Sequence, residues 1–151
     1  MERNLLTGAR MDRMVDAPTA ADAAKVLQEI GYGDFSPDSQ ASLGQALAQE
    51  RDKTFQELYQ FVPDQSVVDV FRVKYDYHNI KTLLKARATG LDPSPLLVEA
   101  GRVEVRRLRE AVEEGKLDLL PPLMALAEAQ AGGVLSATGD PPRSDLVLDD
   151  A

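Results

Sequence analysis

KYDYHNIKTLLKAR, residues 74–87, carries the one histidine of the chain, His78, with Tyr75, Asp76, Tyr77 and Asn79 crowded around it. At about 100° per residue the crowd disperses, because a helix sends neighbours in sequence to different faces. Val70, Val73, Tyr77, Ile80 and Leu84 recur at spacings of three and four and form the expected buried seam. Lys74, His78, Lys81 and Lys85 form a second stripe a third of a turn or more away, expected as a basic, solvent-facing edge and candidate interface. Asp76 precedes His78 by two positions, so the side chains point about 160° apart and make no carboxylate–imidazole dyad. Tyr75 and Asn79 share a third face, where a hydrogen bond to a neighbouring helix is expected. Asp76 follows Arg72 by four residues, the spacing of a helical ion pair. Asp76 and Asn79 read as helix–helix hydrogen-bonding residues. His78 reads as part of a polar stripe rather than a general base, since no nucleophile or second ligand accompanies it.

Working outward, proline, glycine and capping residues divide the rest into short helices. Thr19 caps a helix with Asp22 at its third position and Ala23, Leu27 and Ile30 on one face, stopped by Gly31. Ser36-Pro37 opens another that runs to about Val62, with Leu43, Leu47, Phe55, Leu58 and Val62 facing one way. Pro63-Asp64 ends it and caps the central helix, Gln65 to Thr89, with Gly90 behind. A short helix through Leu97 and Val98 follows Pro95, then one around Val105, Leu108 and Val112 up to Gly115. Pro121-Pro122 opens a last helix, Leu123 to Ala131, which Gly132-Gly133 is expected to end. SATGDPPRSD reads as a loop. No segment alternates with period two for long enough to be a strand, so the fold class is all-α, a bundle of about six to seven short and medium helices.

The 151 residues are 44% hydrophobic, 28% charged and 5% aromatic, the balance of a helical protein, and the formal charge is −8. That charge repels polyanions at long range and argues against nucleic acid as a partner. No cysteine is present and only one histidine, which excludes disulfides and the usual imidazole and thiolate zinc clusters. SDLVLDD is acidic but too short to define a metal loop. GYGD lacks the third glycine of a dinucleotide fingerprint, and no phosphate-cradling P-loop occurs, so neither cofactor nor metal is expected. Arg102, Arg106 and Arg109 could face an anion, yet Glu110, Glu113 and Glu114 can pair with them along a helix, and a salt-laced surface is the simpler reading. MERNLLTGAR lacks the apolar core of a signal peptide, and the apolar run LLPPLMALA is too short and proline-broken to span a bilayer. A cytoplasmic location is expected, without direct membrane insertion.

Two stretches together carry a family resemblance: LLTGARMDRMVDAPTAADAAKVLQEIGYGD, and KYDYHNIKTLLKAR about forty residues later. They resemble the family of V/A-type ATPase C subunits, which includes the d subunits of vacuolar ATPases. There a leucine pair, an R-M-x-x-A segment and a Y-G turn precede a helix of the form D-x-x-N-[IL]-[KR]-x-L-L-[KR]-A. The matching positions are Leu5-Leu6, Arg13-Met14 with Ala17, Tyr32-Gly33, and Asp76, Asn79, Ile80, Lys81, Leu83, Leu84, Lys85 and Ala86. The likeness is strongest over residues 2–90, extends to Ala131 and fades beyond. Residues 1–131 thus resemble the first of the family's three similar helical modules, which form a funnel, and 132–151 a loop and the start of a truncated next segment.

The resemblance implies a non-catalytic central-stalk connector that links the membrane rotor ring to the central stalk, peripheral to the membrane, and supports proton or sodium transport. Rotor-ring and central-stalk subunits are the implied partners. Asp76, Tyr77, Asn79, Ile80, Leu83 and Leu84 are the implied structural motif. The alternatives are a free-standing helical adaptor and a small helical hydrolase using His78. A truncated module would leave the Leu5-Leu6 start and the Leu123 to Leu126 segment uncovered, so self-association is expected, with residues after Gly132 mobile or loosely docked.

Overall fold

The computed structural model describes residues 5–33 and 40–151, and among them every regular element is helical. The chain forms two compact units, residues 1–63 and 64–151.

In the first unit, α1 (Gly8–Val15) starts where the Thr7 hydroxyl accepts from the Arg10 N–H. This helix is not among those expected from the sequence. The second helix, α2 (Ala20–Glu29), begins as expected, with the Thr19 hydroxyl accepting from the Asp22 N–H. Arg13 and Glu29 join α1 to α2 by a two-pronged ion pair at 3.0 and 3.1 Å. The third, α3 (Gln40–Phe61), lies within the helix expected after Ser36-Pro37, but that start signal itself falls outside the described residues. Ala24, Leu27, Ile30 and Ala46 form the unit's core, with Met14, Tyr32 and Leu43 packed against it. Ala24, one position on from the expected Ala23, takes the buried place, and Leu47 is exposed.

The second unit is built on α4 (Gln65–Thr89), whose ends are those read from the sequence. Its start is capped by the Asp64 carboxylate, which accepts from the Ser66 N–H. Gly90 turns the chain away at φ 72°, a left-handed conformation that residues with a Cβ rarely adopt. A 3₁₀ turn (Ser94–Leu96), α5 (Val105–Glu114), a second 3₁₀ turn (Leu117–Leu119), α6 (Pro122–Thr138) and α7 (Pro141–Asp149) complete it. Ile80, Leu83 and Leu84 of α4 are fully covered by Leu108, Ala111 and Val112 of α5, by Met124, Ala127, Ala131 and Leu135 of α6, and by Leu148 of α7.

Three expectations are corrected here. The buried sector of α4 holds Val68, Asp76, Asn79, Ile80, Leu83 and Leu84, while Val70 is 69% exposed and Val73 and Tyr77 lie at the margin. That rotates the seam by about 90° from the purely apolar pattern. The short helix at Leu97 and Val98 is replaced by extended chain, because the backbone there pairs with side chains of α4 rather than with itself. Finally, α6 continues through Gly132-Gly133 to Thr138, and SATGDPPRSD is the end of one helix and the beginning of another. The boundary expected at residue 131 therefore falls inside α6. Far from being loosely attached, α7 buries Leu148, and its Ser144 hydroxyl donates to the Ala131 carbonyl at 2.9 Å. The reversal comes at Gly139 (φ 63°), followed by Asp140, which caps α7. Leu5, Leu123 and Leu126 are exposed.

A helix that runs through two glycines carries an avoidable backbone-entropy cost. A Cβ at Gly133 would meet nothing within 4 Å, so Gly133→Ala is expected to stabilise the protein by about 0.5–1 kcal/mol. A rise in the thermal midpoint checks this; an unchanged or lower midpoint would contradict helix continuity at that position.

Candidate functional site

Residues 97–103 form a connection without regular backbone pairing, and such a segment, once partly buried, must find partners for its N–H and C=O groups. The polar face of α4 supplies them. Asn79 pairs with Val98 twice, its Nδ2 donating to the carbonyl and its Oδ1 accepting from the N–H, both at 2.9 Å. The Asp76 carboxylate accepts from the N–H groups of Arg102 (3.0 Å) and Val103 (3.1 Å). Arg72 donates to the carbonyls of Ala100 and Gly101. Arg102 returns an ion pair to Asp69 at 3.2 Å. The His78 ring donates from Nε2 to the Leu96 carbonyl at 3.0 Å, which assigns the proton to that nitrogen. The connection thus runs antiparallel along α4, tied at Val98 and at each residue from Ala100 to Val103.

Asp76 and Asn79 are fully buried and sit near the middle of the covered sector. Their partners are backbone groups of the connection rather than residues of a neighbouring helix, which corrects the helix–helix expectation. Burial raises the Asp76 carboxyl above its usual range, opposed by the two N–H donors and by the charges of Arg102 and Arg72. Gly101 is the complementary part: a Cβ there would lie 1.9 Å from Asp76 Oδ1, so only glycine lets the connection come this close.

A second polar lock lies toward the other end of α4. Arg87 donates to the Val112 carbonyl in the last turn of α5 at 2.7 Å and lies 3.8 Å from the Glu128 carboxylate of α6. Gly132 leaves room for it, since a Cβ there would stand 3.1 Å from Arg87 Nη2. Sequence reasoning does not single out Arg87, Gly101 or Glu128, and reads Gly132 only as a helix stop. The signal available is Glu128 itself, a lone carboxylate within the apolar stretch PLMALAEAQAGGVL.

Burial raises the Glu128 carboxyl, with the Arg87 charge pulling it the other way. A carboxyl raised on folding makes the folded state bind its proton more tightly than the unfolded state. Its stabilising share is complete below the unfolded value, near 4.5, and is lost as pH rises through the folded value. Glu128→Gln keeps the site neutral, so its stability relative to the wild type should increase from about pH 4 to pH 7. Urea unfolding across that range checks the sign.

Of the candidate interface residues, Lys74 is exposed and lies 5.0 Å from the centre of the Tyr75 ring. The two other lysines are only partly exposed. Lys81 pairs with Asp149 and Lys85 with Asp145, the latter at 2.6 Å, so the acidic face of α7 covers half the stripe. Tyr77 flanks the core as a partly buried residue. The arginine stripe is salt-laced: Arg106 pairs with Glu110, Arg109 with Glu113, and Arg102 with Asp69, whereas Glu114 pairs with Lys116. Among the described residues, no group of three or more His, Asp or Glu side chains could hold a metal ion. No helix among them is long and apolar enough to cross a membrane.

The family model described as ATP synthase (C/AC39) subunit matches residues 1–151. Curated proteins similar to the chain include the C subunit of the V-type sodium ATPase of Enterococcus hirae, 28% identical over 116 residues. Another is the C subunit of the A-type ATP synthase of Methanocaldococcus jannaschii, 28% identical over 123 residues. Each alignment covers 74% of this chain but only 34% and 31% of the relative, so the chain spans about a third of their length. No solved structure matches the chain significantly.

Proposed function

The chain belongs to the ATP synthase (C/AC39) subunit family, and from that premise we propose that it contributes to the central-stalk connector of a V/A-type rotary ATPase or ATP synthase. In this reading it is a non-catalytic part, peripheral to the membrane, that links the rotor ring to the central stalk and supports proton or sodium transport. The names of the two relatives favour it, since both are C subunits of such complexes.

The observation that carries the mechanical role is the locking of residues 97–103 onto α4. An element that transmits torque must not let its helices slip. Irregular chain is the usual place for slip, because it lacks a hydrogen-bonded ladder of its own. Here Arg72, Asp76 and Asn79 hold the backbone groups of the connection to one helix. Arg87 joins that helix to α5 and α6 in turn. Close packing of the apolar side chains around these ties resists deformation.

Co-expression with the rotor-ring and stalk subunits of the same complex, followed by affinity purification through the chain, tests the reading. Retention of both is the expected result. Recovery with neither, or a stable complex with an unrelated protein, would favour the free-standing adaptor instead.

A further inference from the structure

A cleft of about 490 Å³ opens beside α4 and the start of α6, lined by three arginines, Arg72, Arg102 and Arg107, and two aspartates, Asp69 and Asp118. Two of the arginines have structural duties, Arg72 toward the carbonyls of the connection and Arg102 toward Asp69. Arg107 differs. Its neighbours on α5, Arg106 and Arg109, each pair with a carboxylate one turn away. Among the described residues no carboxylate pairs with Arg107, whose guanidinium donates to the Leu119 carbonyl at 2.9 Å. The remaining wall is apolar, and its accessible part includes Leu119 and Pro121.

We propose that this cleft binds a small organic anion, a carboxylate or phosphate group held by Arg107 with its apolar body resting on Leu119 and Pro121. A guanidinium offers paired donors matched to either head group, and only part of Arg107's set is engaged. The volume lies within the range of about 300–1,000 Å³ usual for small-molecule sites. Three guanidinium groups against two carboxylates leave the cleft locally positive, while the negative charge of the whole chain disfavours a polyanion.

Titration of the full chain with inorganic phosphate, hexanoate and, as the uncharged counterpart, hexan-1-ol, followed by amide NMR shifts at matched ionic strength, tests the assignment. The expected result is saturable movement of the Val103 and Leu119 amides with phosphate or hexanoate but not with hexan-1-ol. Saturation by phosphate alone identifies a phosphoryl head group, and saturation by hexanoate alone a carboxyl one. Arg107→Gln should weaken binding about tenfold, and Asp118→Asn should tighten it by removing a like charge. Saturation by neither anion, equal binding of hexan-1-ol, or unchanged affinity in a folded Arg107→Gln overturns the proposal. Should Arg107→Gln fail to fold, unchanged or weaker binding in Asp118→Asn overturns it equally.

Discussion

Gly101→Ala is expected to destabilise the protein by roughly 3 kcal/mol or more, the largest effect of a single added methyl group in the second unit. The new Cβ would stand 1.9 Å from Asp76 Oδ1 and 2.8 Å from its Cγ, far inside van der Waals contact. Neither side can yield cheaply. Asp76 is fully buried, and both its oxygens accept from the connection, so turning it aside strands the N–H groups of Arg102 and Val103. Moving the connection instead disturbs the Val98 pair and the Arg72 bonds. The cost arises from space rather than from backbone conformation, because Gly101 is not among the glycines with positive φ. Urea unfolding of Gly101→Ala, Asp76→Ala and the double variant checks the mechanism. The two losses should be markedly less than additive, since removing the carboxylate clears the position the methyl group needs. Wild-type stability in Gly101→Ala would show that the close approach is not required.

Asn79→Leu is expected to cost roughly 2–5 kcal/mol, because it leaves both the N–H and the carbonyl of Val98 without their partner while keeping a side chain of similar size. For a unit of this size the thermal midpoint should fall by about 10 °C or more. His78→Ala, one residue away on the exposed side, gives up a single hydrogen bond to the Leu96 carbonyl that water can replace, and a loss of about 1 kcal/mol or less is expected. Thermal melts of the pair separate the two faces of the helix. A larger loss in His78→Ala than in Asn79→Leu would reverse the assignment of which face is held.

Much of the helical order is legible because its signals are local. Thr19, Asp64 and Gly90 act on the three or four residues beside them, so a cap or a stop identified in sequence remains one in the fold. Local signals also mislead. Gly132-Gly133 reads as a stop, yet its cost is smaller than what α6 gains by carrying Leu135 into the core. Arg87 makes the glycine at 132 a matter of space. The seam of α4 is misplaced for a related reason. A pattern drawn from apolar residues alone leaves out Asp76 and Asn79, although a polar side chain is stable in the interior once its hydrogen bonds are met.

What the sequence determined by itself was the helical class, the extent of the central helix and the motif that relates the chain to its family, all of which depend on neighbouring residues or on composition. The tertiary structure alone decided what that motif holds. The partners of Asp76 and Asn79 lie 19 to 27 residues further on, and those of Lys81 and Lys85 lie 68 and 60. Spacing along a helix shows which way a side chain points, but the backbone it meets there depends on how the intervening chain returns. That return is set by the packing of α5, α6 and α7 on one another, which no local pattern contains.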